Sequence, residues 1–103
     1  MGTASFSVTQ YAKTKGSGAA TIQSSIVTTS GAHASSGTAT NIEDASGDIT
    51  MSAGQVLEVY ASQAMRIRFG GVAATTTTGH YIPAGVQKQY ECEEAGTVSI
   101  IDV

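Results

Sequence analysis

Two arginines at alternate positions, Arg66 and Arg68, form the most suggestive polar pair in this chain. They lie in Met65-Arg66-Ile67-Arg68-Phe69, where period-two alternation sets three large apolar side chains on one strand face and both guanidinium groups on the other. A planar guanidinium fork suits carboxylates, so the pair faces Glu91 and Glu93 on an adjacent strand or the acids of another subunit, with a phosphate or glycan contact as the third option. The other reactive residues assemble less readily. His33 and His80 each stand near glycine-containing turns, and no Cys or His spacing supplies further zinc ligands. Glu43, Asp44 and Asp48 surround Gly47, but they lack the alternate oxygen ligands and closing glutamate of a calcium loop. They read as an acidic, solvated turn. Glu91 and Glu93 share an outward strand face, where like charges keep a sheet edge from aggregating. Serine and threonine abound, yet there is no Gly-x-Ser-x-Gly elbow and no His–Asp pair beside a particular hydroxyl. The lone Cys92 reads as a small buried apolar residue. We expect no catalytic residue, no metal and no cofactor.

The elements that must carry these residues are strands. Ala, Thr, Ser and Gly make up about half of the 103 residues, while Leu occurs once and the larger apolar residues are mostly Val and Ile. Branched side chains and threonine suit a pleated surface, whereas an amphipathic helix draws on leucine and charged residues that are scarce here. Alternation predicts strands over 20–29, 38–42, 56–61, 65–69, 86–92 and 97–101, with Ile49 and Met51 sharing a face of a further one. Residues on both faces of 56–61 are apolar, which predicts a central, doubly covered strand. Residues 31–37 read as a polar turn, and Ala73–Thr78 as an edge strand or an ordered loop. Two turns, Ser52-Ala53-Gly54 and Pro83-Ala84-Gly85, echo each other ahead of 56–61 and 86–92. Tyr60, Tyr81 and Tyr90 are expected to fill the core or an interface. Seven or eight short strands at regular turn spacing predict an all-β fold, a small β-sandwich or jelly-roll-like domain.

Two units follow: an extended N-terminal arm over residues 1–18 and the β-sandwich over 19–103. The arm holds an alternating stretch, Ser5-Phe6-Ser7-Val8-Thr9, and the connector Gly16-Ser17-Gly18. Two readings of it compete, a frayed terminus and an arm that docks on a neighbouring subunit through Phe6, Val8 and Tyr11. Val, Ile, Leu and Phe account for just under a fifth of the chain, which makes a thin core and favours completion by self-association or by a larger partner. A net charge of −3 gives no footprint for nucleic acid. No stretch approaches the ~20 apolar residues needed to span a bilayer, and the start has neither the basic nor the apolar region of a signal peptide. Met1-Gly2 is not a myristoylation start, because Phe6 stands where Ser or Thr is required. These features predict a soluble chain made in a cytoplasm, with no membrane partner.

One resemblance runs along the second half of the chain. Arg66-Ile67-Arg68-Phe69-Gly70, the Ala/Thr run, His80-Tyr81-Ile82-Pro83-Ala84-Gly85-Val86 and Gly96-Thr97-Val98-Ser99-Ile100-Ile101 follow in an order that resembles small virion proteins of tailed bacteriophages. Some of these resemble capsid cement or decoration proteins, which sit on the outer shell as dimers or trimers and bridge capsomers. The likeness covers about 52–103, and its motifs are structural, so they carry no functional residue across. It implies a nonenzymatic virion protein on the outer capsid surface, with the major capsid protein and further copies of itself (homodimer or homotrimer) as partners. Phe6, Val8, Tyr11, Arg66 and Arg68 are the residues expected to meet them. A tail or head-fibre component and a carbohydrate-binding β-sandwich module are the alternatives.

Overall fold

The computed structural model describes residues 1–12 and 22–103, with the backbone alone for 10–12 and 22–26. Among them the chain is all-β. Its strands are β1 (Gly2–Ala12), β2 (Ile22–Ser35), β3 (Thr40–Asn41), β4 (Glu43–Asp44), β5 (Gly47–Asp48), β6 (Thr50–Met51), β7 (Gln55–Ala61), β8 (Met65–Arg68), β9 (His80–Ile82), β10 (Val86–Glu91), β11 (Gly96–Thr97) and β12 (Ser99–Asp102). One four-stranded antiparallel sheet has the order β10-β7-β1-β2 and a second has β3-β12-β8-β9. Two short ladders, β6 with β11 and β4 with β5, form separate two-stranded sheets.

Alternation builds the core between the two sheets. Ala4, Phe6 and Val8 of β1 and Leu57, Val59 and Ala61 of β7 point inward from the first sheet. Met65 and Ile67 of β8, Ile82 of β9 and Ile100 of β12 meet them from the second. Ile42, Ile49, Met51, Val98 and Cys92 complete the same cluster. Ser35 at the end of β2 donates to Asp102 Oδ1 at 2.5 Å, which ties the edge of one sheet to a central strand of the other.

Three features differ from the expectations above. The opening segment does not stand apart: residues 2–12 form β1, which lies between β7 and β2 in the first sheet. β7 pairs with β1 only as far as Gln10↔Gln55, so Tyr11–Ala12 and Ile22–Gln23 pair with each other beyond it as a projecting ribbon. The connector at 13–18 lies outside the described residues. Residues 31–35, expected as a turn, continue β2 because Gly31 sits across from Phe6. A Cβ at Gly31 would come within 3.3 Å of the Phe6 ring, so this glycine makes room for packing and does not turn the chain.

The expected double cover also falls elsewhere. β7 is central, but its outer face carries Glu58 and an exposed Tyr60. The strand covered on both faces is β12, all four of whose residues are buried. Its cover is the threonine-rich loop, an ordered loop whose Ala74 amide donates to Ser99 Oγ at 2.9 Å. The two echoing turns occupy equivalent corners. Gln55 N bonds Ser52 O and Val86 N bonds Pro83 O, with Gly54 and Gly85 both in the left-handed region at φ 89° and 77°. Because β7 and β10 are antiparallel, each turn lies at the end of the other's strand. Gly54 N bonds Cys92 O, and Gly85 N bonds Ala61 O.

Candidate interaction surfaces

Alternation does place Arg66 and Arg68 on one face of β8, opposite buried Met65 and Ile67. Their partners are not those expected. β8 and β10 belong to different sheets, so neither arginine faces Glu91 or Glu93 across a ladder. Arg66 Nε donates to Thr76 O and Nη1 to Gly79 O, each at 3.0 Å, and the guanidinium carbon lies 5.5 Å from the centre of the Tyr81 ring. Tyr81 is its direct register partner on β9. Arg66 therefore holds the threonine-rich loop down on the outer face of the second sheet. Its donors serve the chain itself.

Arg68 opens instead on a cleft of about 400 Å³ between the β8–β9 edge and the end of β10, lined by Phe69, His80, Glu91, Glu93 and Glu94. Among the described residues, neither arginine comes within 4.0 Å of a carboxylate oxygen. Beside this cleft Phe69, His80 and Tyr90 stack together, with ring centres 5.1–6.2 Å apart. Partial burial raises the Tyr90 hydroxyl above its ordinary pKa of 10.0. Cys92 lies below, its thiol donating to Glu94 O at 2.7 Å. Burial raises the thiol's pKa, and the Glu94 charge adds to the rise, so the reactive thiolate is disfavoured. The aromatic cluster is a feature that alternation alone did not mark, because it joins residues from three separate strands or strand ends.

Phe6 and Val8 are buried in the chain's own core, so in this fold their apolar surface is already used. Tyr11 pairs with Gln23 in the projecting ribbon, and its side chain lies outside what is described. Tyr60 and Tyr81 are exposed and do not fill the core. For Tyr60 the signal was present in sequence: Val59 and Ala61 point inward, which turns the residue between them outward. Tyr60 borders a shallow groove of about 430 Å³ with Ser5, Ser7, Ser30, Glu58 and Gln87. Gln89 Nε2 donates to Glu58 Oε2 at 2.7 Å on that same outer face.

The acidic turn is fastened to β2. Thr29 Oγ1 donates to Asp44 Oδ2 at 2.6 Å and Ser46 N donates to Oδ1 at 2.8 Å. These bonds, the Thr29 hydroxyl first, lower the Asp44 pKa below its ordinary 3.8. His33 Nδ1 accepts from Glu43 N at 3.3 Å, which leaves Nε2 to donate to Thr40 Oγ1 at 3.0 Å in the neutral ring. Asp48 accepts from Asn41 Nδ2 at 3.0 Å. Among the described residues, no group of three or more His, Cys, Asp or Glu side chains is placed to hold a metal ion. No helix among them is long and apolar enough to cross a membrane. Compared with known proteins, the chain matches no family model, no curated protein and no solved structure.

Proposed function

We propose that this chain is a nonenzymatic structural protein of a tailed-phage virion, a decoration or cement protein that binds the major capsid protein on the outer shell and bridges capsomers. The observation that carries the reading is the kind of surface the fold presents. Its open features are shallow grooves and a 14-residue edge strand, β2, with no further strand beyond it among the described residues. An exposed ladder edge is a surface on which another chain can add main-chain hydrogen bonds. The stretches that resemble phage virion proteins supply β8, the covering loop, the β9–β10 turn and β12, the parts that form the second sheet and its corners. Weak contacts repeated over a shell become collectively strong, because each subunit touches several tethered partners.

The test is to add purified chain to assembled capsid shells. Saturable binding at a copy number that scales with the shell, together with a higher disruption temperature, is the expected result. Recovery with tails at low copy number would overturn the capsid assignment. Deleting residues 1–18 does not test attachment, since it removes β1 from the first sheet.

A second reading, a carbohydrate-binding module, is favoured by one specific observation. Tyr60 offers an exposed ring beside a carboxylate, an amide and three hydroxyls in the groove with Glu58, Gln87, Ser5, Ser7 and Ser30. Glycan binding by the free protein, abolished by Tyr60→Ala, would establish it in place of the first.

A further inference from the structure

The two edges of the first sheet are not alike. β10 is six residues long and carries Lys88 and Glu91, charges of the kind that discourage pairing with another strand. β2 runs for 14 residues with no Asp, Glu, Lys, Arg or Pro. A groove of about 550 Å³ lies along part of this edge. One wall is five successive residues of β2, Ser30 to Ala34, and the other is Glu43, Asp44 and Ala45 from the β4–β5 turn. On the β2 side the residues are Ser, Gly, Ala, His and Ala, so, apart from His33, little side chain screens the backbone. The His33 ring is engaged across the gap by Glu43 N and Thr40 Oγ1. Five residues of strand offer roughly 17 Å of ladder. The opposite wall is charged and held in place. Asp44 is fixed by Thr29 and Ser46, and the Glu43 side chain is exposed.

We propose that this groove receives an extended segment of the coat protein, which adds to β2 as a fifth strand and sets a lysine or arginine against Glu43 and Asp44. The inference rests on the virion reading for the source of the segment. The edge and its acidic wall set the chemistry of what binds: main-chain pairing from an extended peptide, and a cation at the acidic end. Charge decides against a second copy of this chain as the occupant. Its β2 would bring no cation to the wall, and its own Glu43 and Asp44 would come with it, so like charges would meet.

The experiment uses the full chain and two synthetic hexapeptides of alternating threonine and valine, one with a central lysine and one with glutamate in its place. Amide hydrogen exchange locates the peptide, and titration gives its affinity. The expected result is slowed exchange among residues 30–34 with the lysine peptide, and binding at least about tenfold weaker with the glutamate peptide. Glu43→Lys, at an exposed position, should leave the fold intact and reverse that preference. Equal binding of both peptides, protection confined to β10 or to residues 58–60 without 32–34, or concentration-dependent protection of 30–34 without peptide would each overturn the proposal, the last by showing that a second copy occupies the edge. Capsid shells separate this proposal from the reading beneath it. Shells that bind wild type and Glu43→Lys alike would overturn the groove and leave the decoration role standing. Shells that bind neither, alongside a groove that still selects the lysine peptide, would remove the coat protein as its source.

Discussion

Arg66 and Arg68 share a strand face and differ in what they do, because a side chain's role depends on what lies across from it. Two carbonyl acceptors and the Tyr81 ring engage Arg66, while Arg68 reaches into an open cleft. Arg66→Ala should lower stability by about 1–2 kcal/mol, the scale of charge-assisted bonds at a half-exposed site, and should speed amide exchange in the threonine-rich loop. Arg68→Ala should change stability by less than about 0.5 kcal/mol. Urea unfolding of both variants checks the pair, and equal losses would refute the assignment. Asp44 adds a dependence on pH. Its pKa is lowered in the folded chain, so its contribution to stability is complete above the ordinary value of 3.8 and is lost as pH falls through the lower, folded value. Asp44→Asn should therefore show a smaller drop in unfolding midpoint between neutral and strongly acidic pH than the wild type.

Among the elements, the two equivalent turns show how local chemistry and pairing reinforce each other. Gly54 and Gly85 have no atom within 4 Å of where a Cβ would stand, so an alanine there meets no neighbour and bears only the cost of a left-handed backbone. Gly54→Ala and Gly85→Ala should each destabilise by about 1 kcal/mol, and asparagine at either site by less. Thermal unfolding of the four single variants would check this, and a loss several times larger would mean that the turns do more than reverse the chain. Gly31 is a glycine of another kind. Its backbone is ordinary strand, and the ring of Phe6 fills the space a side chain would take. For that reason a cluster of small residues from 31 to 37 resembles a turn in sequence and is a strand for most of its length.

For the whole molecule, the first sheet depends on β1. It lies between two neighbours, and Phe6 and Val8 join residues of both sheets in one cluster. Phe6→Ala should cost about 3–5 kcal/mol, a large share of the ~5–15 kcal/mol that holds a domain of this size together. A denaturation midpoint little changed from wild type would mean that β1 is dispensable and that the opening segment is an arm after all. A protein with so few large aliphatic residues fills its interior by bringing in its opening segment and by laying a threonine-rich loop over the second sheet. The faces and edges left outside are built mostly from small and polar residues, with Tyr60, Tyr81, Val27 and Val72 exposed among them.

Period-two alternation is a local property, since successive side chains leave a strand on opposite sides whatever the strand pairs with. The sequence by itself therefore determined the all-β class, the shared apolar face of Met65 and Ile67, the glycine corners and the shared face of the two arginines. Sheet order and register come from contacts between residues far apart in the chain, and only the tertiary structure decided those. It set β8 and β10 in separate sheets, which gave Arg66 carbonyls in place of glutamates. It also left β2 at the edge of its sheet with an acidic turn alongside, a groove that no spacing of residues in one segment could have announced.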